Sequence, residues 1–515
     1  MAADATQYLL SEGVGLDAAL AELSGRFDVA SDPSQPTRRT FYDTFDGRLH
    51  AAGLALIEED GRLVAGAGPC YRELATAIRP AAWGERLFAG DLPDGPLRSL
   101  IGPIIEVRAL VPVARTRGRA RAVRVLNGDV KTVVRLVLGA ESAVLGGGGD
   151  EVRLRARLHV VGVRGYDRAL ARVRRTLSGE LGLEESGVAL HDEAVRAGGG
   201  IPGGVSTRLD LRLAGDGPAL AGAVVAMGEM LRTIELTLPG VVADVDSEFL
   251  HDLRVAVRRT RSIQRQLASE FPAEPLGRFR REFRWLGQVT GPARDLDVLV
   301  LDLAAMRAQL PEDRARELDP LGDLLHRRRE RERRRMVGAL ESDRTRGLLA
   351  GWSEFLGQLG RAGVNGGGDR LLGMVVGERI RRVYRQMSRA GRSIDDGSPA
   401  MDLHDLRKQG KELRYLLEIF AGLYPAGAVR PTVRRLKALQ ETLGRFQDRE
   451  VQATMLRSLG GELVAADGGP AALLTLGVVL ERIEADGGAA RAEFAERFAV
   501  YSAAGQRRLI RDSFR

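Results

Sequence analysis

Residues 251–262 read HDLRVAVRRTRS, and residues 404–415 read HDLRKQGKELRY. The likeness runs on without a gap at a constant offset of 153 residues. Arg258 meets Lys411, Arg261 meets Arg414, and Pro272-Ala273 meets Pro425-Ala426. Further on, Arg281 meets Arg434, Arg284 meets Lys437, Gly291 meets Gly444 and Asp295 meets Asp448. Thirteen of the 48 positions from 251 to 298 are identical. A match of that length and placement reads as a duplicated helical bundle with approximate two-fold symmetry.

The shared pattern is His-x2-Arg-x3-(Arg/Lys)-x2-Arg. On a helix these four positions fall within an arc of about 80° and along about 15 Å of axis. One stripe thus presents His251, Arg254, Arg258 and Arg261; the other presents His404, Arg407, Lys411 and Arg414. Downstream, Arg281 and Arg284 in the first copy, and Arg434 and Lys437 in the second, add to the same cationic set. Arg259, Arg265, Arg382 and Arg385 are further candidates, and Glu418 stands where the first copy has Arg265. A solvated charged face is the alternative. Such a face usually carries acids four residues away to relieve repulsion, and the arc from 251 to 261 has none. Stacked like charges favour an anionic guest. Both histidines fall early in their helices, where the dipole helps an anion. Asp244 or Asp246 is the expected cap of the first helix, and Ser398-Pro399 opens the second.

Outward from the repeat, residues 218–513 read as helices throughout: 218–237, 245–271, 275–309, 313–341, 345–361, 368–390, 400–423, 429–459, 470–486 and 490–513. Residues before GGGIPGG (198–204) read differently. Strand signals cover 38–45, 104–113, 121–126, 132–138 and 152–163, with helices at 16–23 and 167–181. AspGly at 60–61 and AsnGly at 127–128 are hairpin turns, and GGGG at 146–149 separates two strand segments. The fold class expected is α+β multidomain. Residues 1–197 form an antiparallel β-barrel or sheet with helices, 198–216 a Gly-rich linker, and 217–515 an all-α duplicated bundle with halves at about 217–365 and 366–515.

Charge agrees with this division. Residues 1–210 are balanced, so the whole formal excess of +8 lies in residues 211–515, which points to an acidic partner. The single cysteine, Cys70, excludes an internal disulfide and a Cys-rich zinc site, and a reducing cytoplasm is the expected setting. No stretch reaches ~18 apolar residues, so no transmembrane helix is expected, and MAADATQYLLSEG does not read as a signal peptide. His50, His159 and His191 lack partners at metal-ligand spacing, so neither metal nor cofactor is expected. Neither a Walker-type loop nor a nucleophile elbow is present. The run HRRRERERRR at 326–335 reads as an exposed helix with i,i+4 pairing, and Trp285 reads as core.

HDLRVAVRRTRS and HDLRKQGKELRY resemble the two signature helices of the CHAD domain, the conserved-histidine α-helical domain. ArgAspLeuAsp at 294–297 and LeuGlyArgPheGlnAsp at 443–448 resemble its other landmarks, and the resemblance covers about residues 217–510. It implies a duplicated bundle that binds inorganic polyphosphate through these His, Arg and Lys residues, with association with polyphosphate granules. Gly410 inside the second signature departs from good helix formers. Residues 41–56, FYDTFDGRLHAAGLAL, resemble a strand region of CYTH domains, which are triphosphate-processing barrels often fused to CHAD domains. The CYTH Glu-x-Glu-x-Lys signature is missing, and Glu58-Glu59-Asp60 replaces the usual basic residues, so that resemblance implies a degenerate, inactive relative. Arg115, Arg117, Arg119 and Arg121 form either a basic rim or a solvated strand face. Two rival readings remain: a triphosphate-processing enzyme, and a nucleic-acid binder, against which stands the lack of aromatics for base stacking.

Overall fold

The computed structural model describes residues 5–79, 84, 86–146, 149–205, 211–365 and 370–515. Residues 147 and 148 of the GGGG run, 206–210 of the Gly-rich linker and the expected half boundary at 366 lie outside the described residues. The chain divides into two compact units, 1–207 and 208–515.

The first unit is a curled antiparallel sheet. Its strands are β1 (Ala5–Leu9), β2 (Val29–Ser31), β3 (Gln35–Thr44), β4 (Leu54–Glu59), β5 (Arg62–Ala67), β6 (Arg72–Ile78), β7 (Leu110–Leu126), β8 (Thr132–Leu145), β9 (Asp150–Arg153), β10 (Arg157–Gly162) and β11 (Glu184–Glu185). The order is β11-β1-β10-β8-β7-β3-β4-β5-β6, with β2 on β7 and β9 on β8. Asp60 and Gly61 both take positive φ, 50° and 74°, the turn that suits the twist of the β4–β5 hairpin. At the β7–β8 turn the N–H groups of Asp129 and Lys131 donate to Asn127 Oδ1.

Among the described residues five α-helices accompany the sheet: α1 (Leu16–Ser24), α2 (Arg48–Ala51), α3 (Pro96–Ile105), α4 (Asp167–Arg175) and α5 (Leu190–Ala197). The strand expected over 104–113 begins only at Leu110. Its first residues end α3, whose buried Leu97, Ile101 and Ile105 recur every four residues and face Leu56, Leu63 and Leu110. A second core joins α1 and α4 to Leu136, Leu138, Leu158 and Val160. The β7 arginines bond to their own unit: Arg117 to Glu151 at 3.3 Å, Arg121 to Asp17 at 2.9 Å and Arg119 to Ser34. The expectation for the histidines needs correction: folding brings His50 on α2 and His191 on α5 to the same carboxylate, Asp192. His159, half-buried and 3.1 Å from Gln7, is pushed down to about 4 by desolvation and then by Arg157 and Arg39.

The second unit is helical: α6 (Ala219–Val242), α7 (Ser247–Gln266), α8 (Ala273–Val289), α9 (Gly291–Arg307), α10 (Glu312–Glu317), α11 (Asp319–Leu340), α12 (Asp343–Asn365), α13 (Leu372–Arg392), α14 (Ala400–Ile419), α15 (Ala426–Ser458), α16 (Gly460–Val464), α17 (Gly469–Tyr501) and α18 (Ala504–Ser513). Among the described residues no helix is long and apolar enough to cross a membrane. The helix expected over 275–309 is two, α8 and α9. Pro292 at the start of α9 lacks the N–H that continuity needs. Its counterpart in the second copy is Arg445, and there α15 runs unbroken. Conversely, the helices expected at 470–486 and 490–513 redistribute: α17 runs through Gly487-Gly488 to Tyr501, and α18 follows.

Two side-chain expectations also change. Trp285 is only half-buried, with the Arg344 guanidinium 4.0 Å above its ring. Trp352 is instead buried in the core, packed on Phe279 and Phe283. In the 326–335 run the main bonds cross between helices rather than along one. Arg329 binds Asp297 at 2.7 Å and Asp244 at 3.0 Å, and Arg328 binds Glu462.

Candidate functional site

Helix α7 opens on Asp246, whose carboxylate accepts the N–H groups of Glu248 and Phe249, so of the two expected caps it is this one. Helix α14 opens on Pro399 without a side-chain cap, because Ser398 is engaged with Asp395 instead. Each helix buries one apolar face: Leu250, Leu253 and Val257 in α7, Leu403, Leu406 and Leu413 in α14. The opposite stripe of each carries the cations. Gly410, weak as a helix former, is buried where a Cβ would come within 3.1 Å of Gln440 and 3.2 Å of Met387, so close packing explains it.

The two copies meet through α7 and α14. Arg259 pairs with Glu418 at 3.4 Å, and Arg265 pairs with Glu412. In repeat coordinates Arg259 matches Glu412 and Arg265 matches Glu418. One contact is therefore the two-fold image of the other, as in an isologous interface. The first copy supplies both arginines and the second both glutamates. Glu418 also lies 3.8 Å from Arg414 and 3.9 Å from Lys437.

Across this pseudo-axis lies a cavity of about 680 Å³. His251, Arg254 and Arg258 line it from α7; His404, Arg407, Lys411 and Arg414 line it from α14; Lys437 lines it from α15. Arg261 and Arg284 are exposed outside that lining and close enough to lower the Arg261 pKa after burial has done so. Arg281, Arg434, Arg382 and Arg385 are exposed elsewhere, and Arg259 and Arg265 serve the contact between copies.

Repeat counterparts hold the two stripes, with different chemistry. Arg294 Nη2 donates to His251 Nδ1 at 3.3 Å, and His404 Nδ1 bonds to Gln447 Oε1. Arg294 and Gln447 are repeat counterparts. Arginine has only donors, so His251 keeps its ring proton on Nε2. Gly291 lies against the Arg254 guanidinium and Gly444 against that of Arg407. Arg254 also donates to Gly287 O and Thr290 Oγ1, both at 3.1 Å, and Arg407 to Asp448 at 3.0 Å. Arg294, Asp295, Gln447 and Asp448 line the cavity although the stripe pattern did not include them. The constant offset was the signal that would have found them, since it sets 294–295 opposite 447–448.

The electrostatics are those of crowded cations. Burial, then Arg407 and Arg258, pushes Lys411 down to about 7. Burial, then Arg258, pushes Arg254 down to about 10. Lys411 and Arg258 are repeat counterparts, so two equivalent cations act on one another across the axis. Among the described residues neither has a carboxylate within ion-pair distance, and the Arg258 Nε is buried without a hydrogen-bond partner. Asp295 is raised by burial and by Asp448, its own counterpart, against the pull of Arg254 and Arg258. The site is thus cationic, only partly compensated, and shaped to receive negative oxygens.

Residues 225–457 match the family model described as CHAD domain. The crystal structure of the CHAD domain from the plant Ricinus communis is similar with a TM-score of 0.45 and 24% identity, over 59% of this chain and 96% of that one. PptA from Streptomyces chartreusis is similar with a TM-score of 0.43 and 18% identity, over 54% of this chain and 98% of that one. Among curated proteins none matches this chain.

Proposed function

Because residues 225–457 carry a CHAD domain, we propose that this chain binds inorganic polyphosphate in the cavity between its two cationic stripes. The observation that carries this reading is the pair Arg258 and Lys411, neither in an ion pair among the described residues and each with cations from both copies around it. An anionic chain laid along the stripes offsets that repulsion and takes multidentate bonds from the arginines. Association with polyphosphate granules follows from the same chemistry. Tyr415, the one Phe, Tyr or Trp of the lining among the described residues, is buried at 5% exposure beneath Arg259 and Arg414, which disfavours base stacking and hence single-stranded nucleic acid.

The test is a calorimetric titration of the full chain with long-chain polyphosphate at rising salt. Binding whose affinity falls steeply with salt is expected, by analogy with other polyanions. Arg254→Glu with Arg407→Glu is expected to abolish it while helical circular dichroism persists. Unchanged binding in that variant, or stronger competition from RNA or DNA of matched charge, would overturn the reading.

For residues 1–207 we infer a CYTH-like sheet without triphosphatase activity. Carboxylates there already serve internal partners: Glu141 binds Arg39 and Thr116, Glu193 binds Arg157, and Glu58 binds Tyr42 and Arg79. Phosphate release from triphosphate with Mg²⁺ or Mn²⁺ would refute this.

A further inference from the structure

We propose that His50, His191 and Asp192 of the first unit form a binding site for one divalent transition-metal ion of the zinc class. The three residues come from two places 141 positions apart, and their ligand atoms all lie within 4.8 Å of one another. Asp192 Oδ1 stands 3.2 Å from His50 Nε2 and 3.2 Å from His191 Nε2. Yet this oxygen is buried and makes no hydrogen bond. Three lone-pair donors therefore converge where hydrogen-bond geometry is not met. Ligands about 2.0–2.1 Å from a tetrahedral ion sit ~3.3 Å apart, close to the two oxygen–nitrogen spacings of 3.2 Å.

Both imidazoles are aimed by their surroundings. The Asp43 carboxylate accepts the backbone N–H groups of Leu49 and His50, each at 2.9 Å, and so fixes the short turn that carries His50. The Tyr71 hydroxyl lies 3.1 Å from His191 Nδ1 and accepts the backbone N–H of His191 at 2.9 Å. When Nδ1–H donates to that hydroxyl, the Nε2 lone pair points at Asp192. This is the second-shell arrangement that orients metal-binding histidines. Gly203 closes one side, since a Cβ there would stand 2.9 Å from His50 Nδ1.

Two imidazoles and one carboxylate suit zinc, cobalt, manganese or iron(II) over magnesium or calcium. Three protein ligands leave at least one coordination position for water or a small oxygen-donor ligand. His50 and His191 also line a cavity of about 210 Å³ with mainly apolar walls, among them Phe41, Leu56, Val113 and Ile201, which gives such a ligand room. The CHAD domain plays no part in this site, and the polyphosphate reading does not bear on it.

The test uses the untagged full chain, stripped with a chelator and titrated with Co²⁺ and then Zn²⁺. One equivalent of Co²⁺ is expected, with the strong visible absorption of a four- or five-coordinate ion, displaced by Zn²⁺. His50→Ala, His191→Ala and Asp192→Asn should each weaken binding at least tenfold. Tyr71→Phe should weaken it by roughly tenfold, and His159→Ala should leave it unchanged. Should the ligand variants fail to fold, X-ray absorption of the zinc-loaded wild-type chain decides, with two imidazoles and at least one oxygen expected around the ion. Substoichiometric uptake, equal uptake by folded ligand variants, or a shell with sulfur or a third imidazole would overturn the site. The cluster would then be a plain polar contact between α2 and α5.

Discussion

Lys411 concentrates the chemistry of the cavity in one side chain. Held near 7 by burial and by Arg407 and Arg258, it releases its proton in the folded state where an unfolded lysine keeps it up to about 10.4. Between those values the unfolded chain binds more protons. The empty protein therefore gains stability as pH rises from about 7 to 10, and loses it as pH falls through 7. A bound polyanion reverses the preference by stabilising the ammonium form, so affinity should weaken as pH rises from 6 to 8. Lys411→Met is expected to raise the melting temperature of the empty protein at pH 6. It should also weaken polyphosphate binding about tenfold and flatten the dependence of binding on pH; thermal melts and titrations at matched salt check this. At this scale the sequence was informative where residue type and spacing recur, as in His251, Arg254, His404 and Arg407. It was silent on which cations turn inward. Arg258 and Arg261 share a stripe, but Arg258 is half-buried in the cavity lining and Arg261 is exposed outside it. Nor does spacing reveal His50 beside Asp192, since only strand pairing closes that distance.

At the scale of elements, periodicity located the helices, and local chemistry set their ends. The break between α8 and α9 falls beside Pro292, whose counterpart in the unbroken α15 is Arg445, although α15 runs through Pro431 elsewhere. Trp285 fell on the apolar side by helical angle, but Trp352 fills the core, and angle alone does not say which neighbour arrives. Asp246 is the clearest local determinant, because its carboxylate takes two otherwise free N–H groups of α7. Asp246→Ala should cost about 1 kcal/mol, read from urea denaturation. Between α7 and α14 the crossed pairs Arg259–Glu418 and Arg265–Glu412 record how the duplicated copies diverged. Arg259→Glu with Arg265→Glu puts four acids together and should lower the melting temperature. Adding Glu412→Arg and Glu418→Arg should recover most of the loss. Failure of that exchange to rescue would show that the pairs do not couple.

For the whole molecule, the relation between the two signatures was legible in outline, because an offset of fixed length forces equivalent positions into equivalent surroundings. That the equivalent cations act on one another across an axis was not legible, since the offset says nothing of how the copies dock. The pseudo-dyad also has a consequence for the guest. Threaded end for end, a strand would meet His251, Arg254 and Arg258 in place of His404, Arg407 and Lys411, so the centre of the site has little sense of direction. The proposed guest, inorganic polyphosphate, reads identically from either terminus, so both orientations would count as bound, worth RT ln 2, or about 0.4 kcal/mol. A polymer with distinct 5′ and 3′ ends has no such degeneracy. Arg414 and Lys437 line the cavity while their counterparts Arg261 and Arg284 lie outside it, and this imbalance, with Arg294 opposite Gln447, is the place where any polarity of loading would originate.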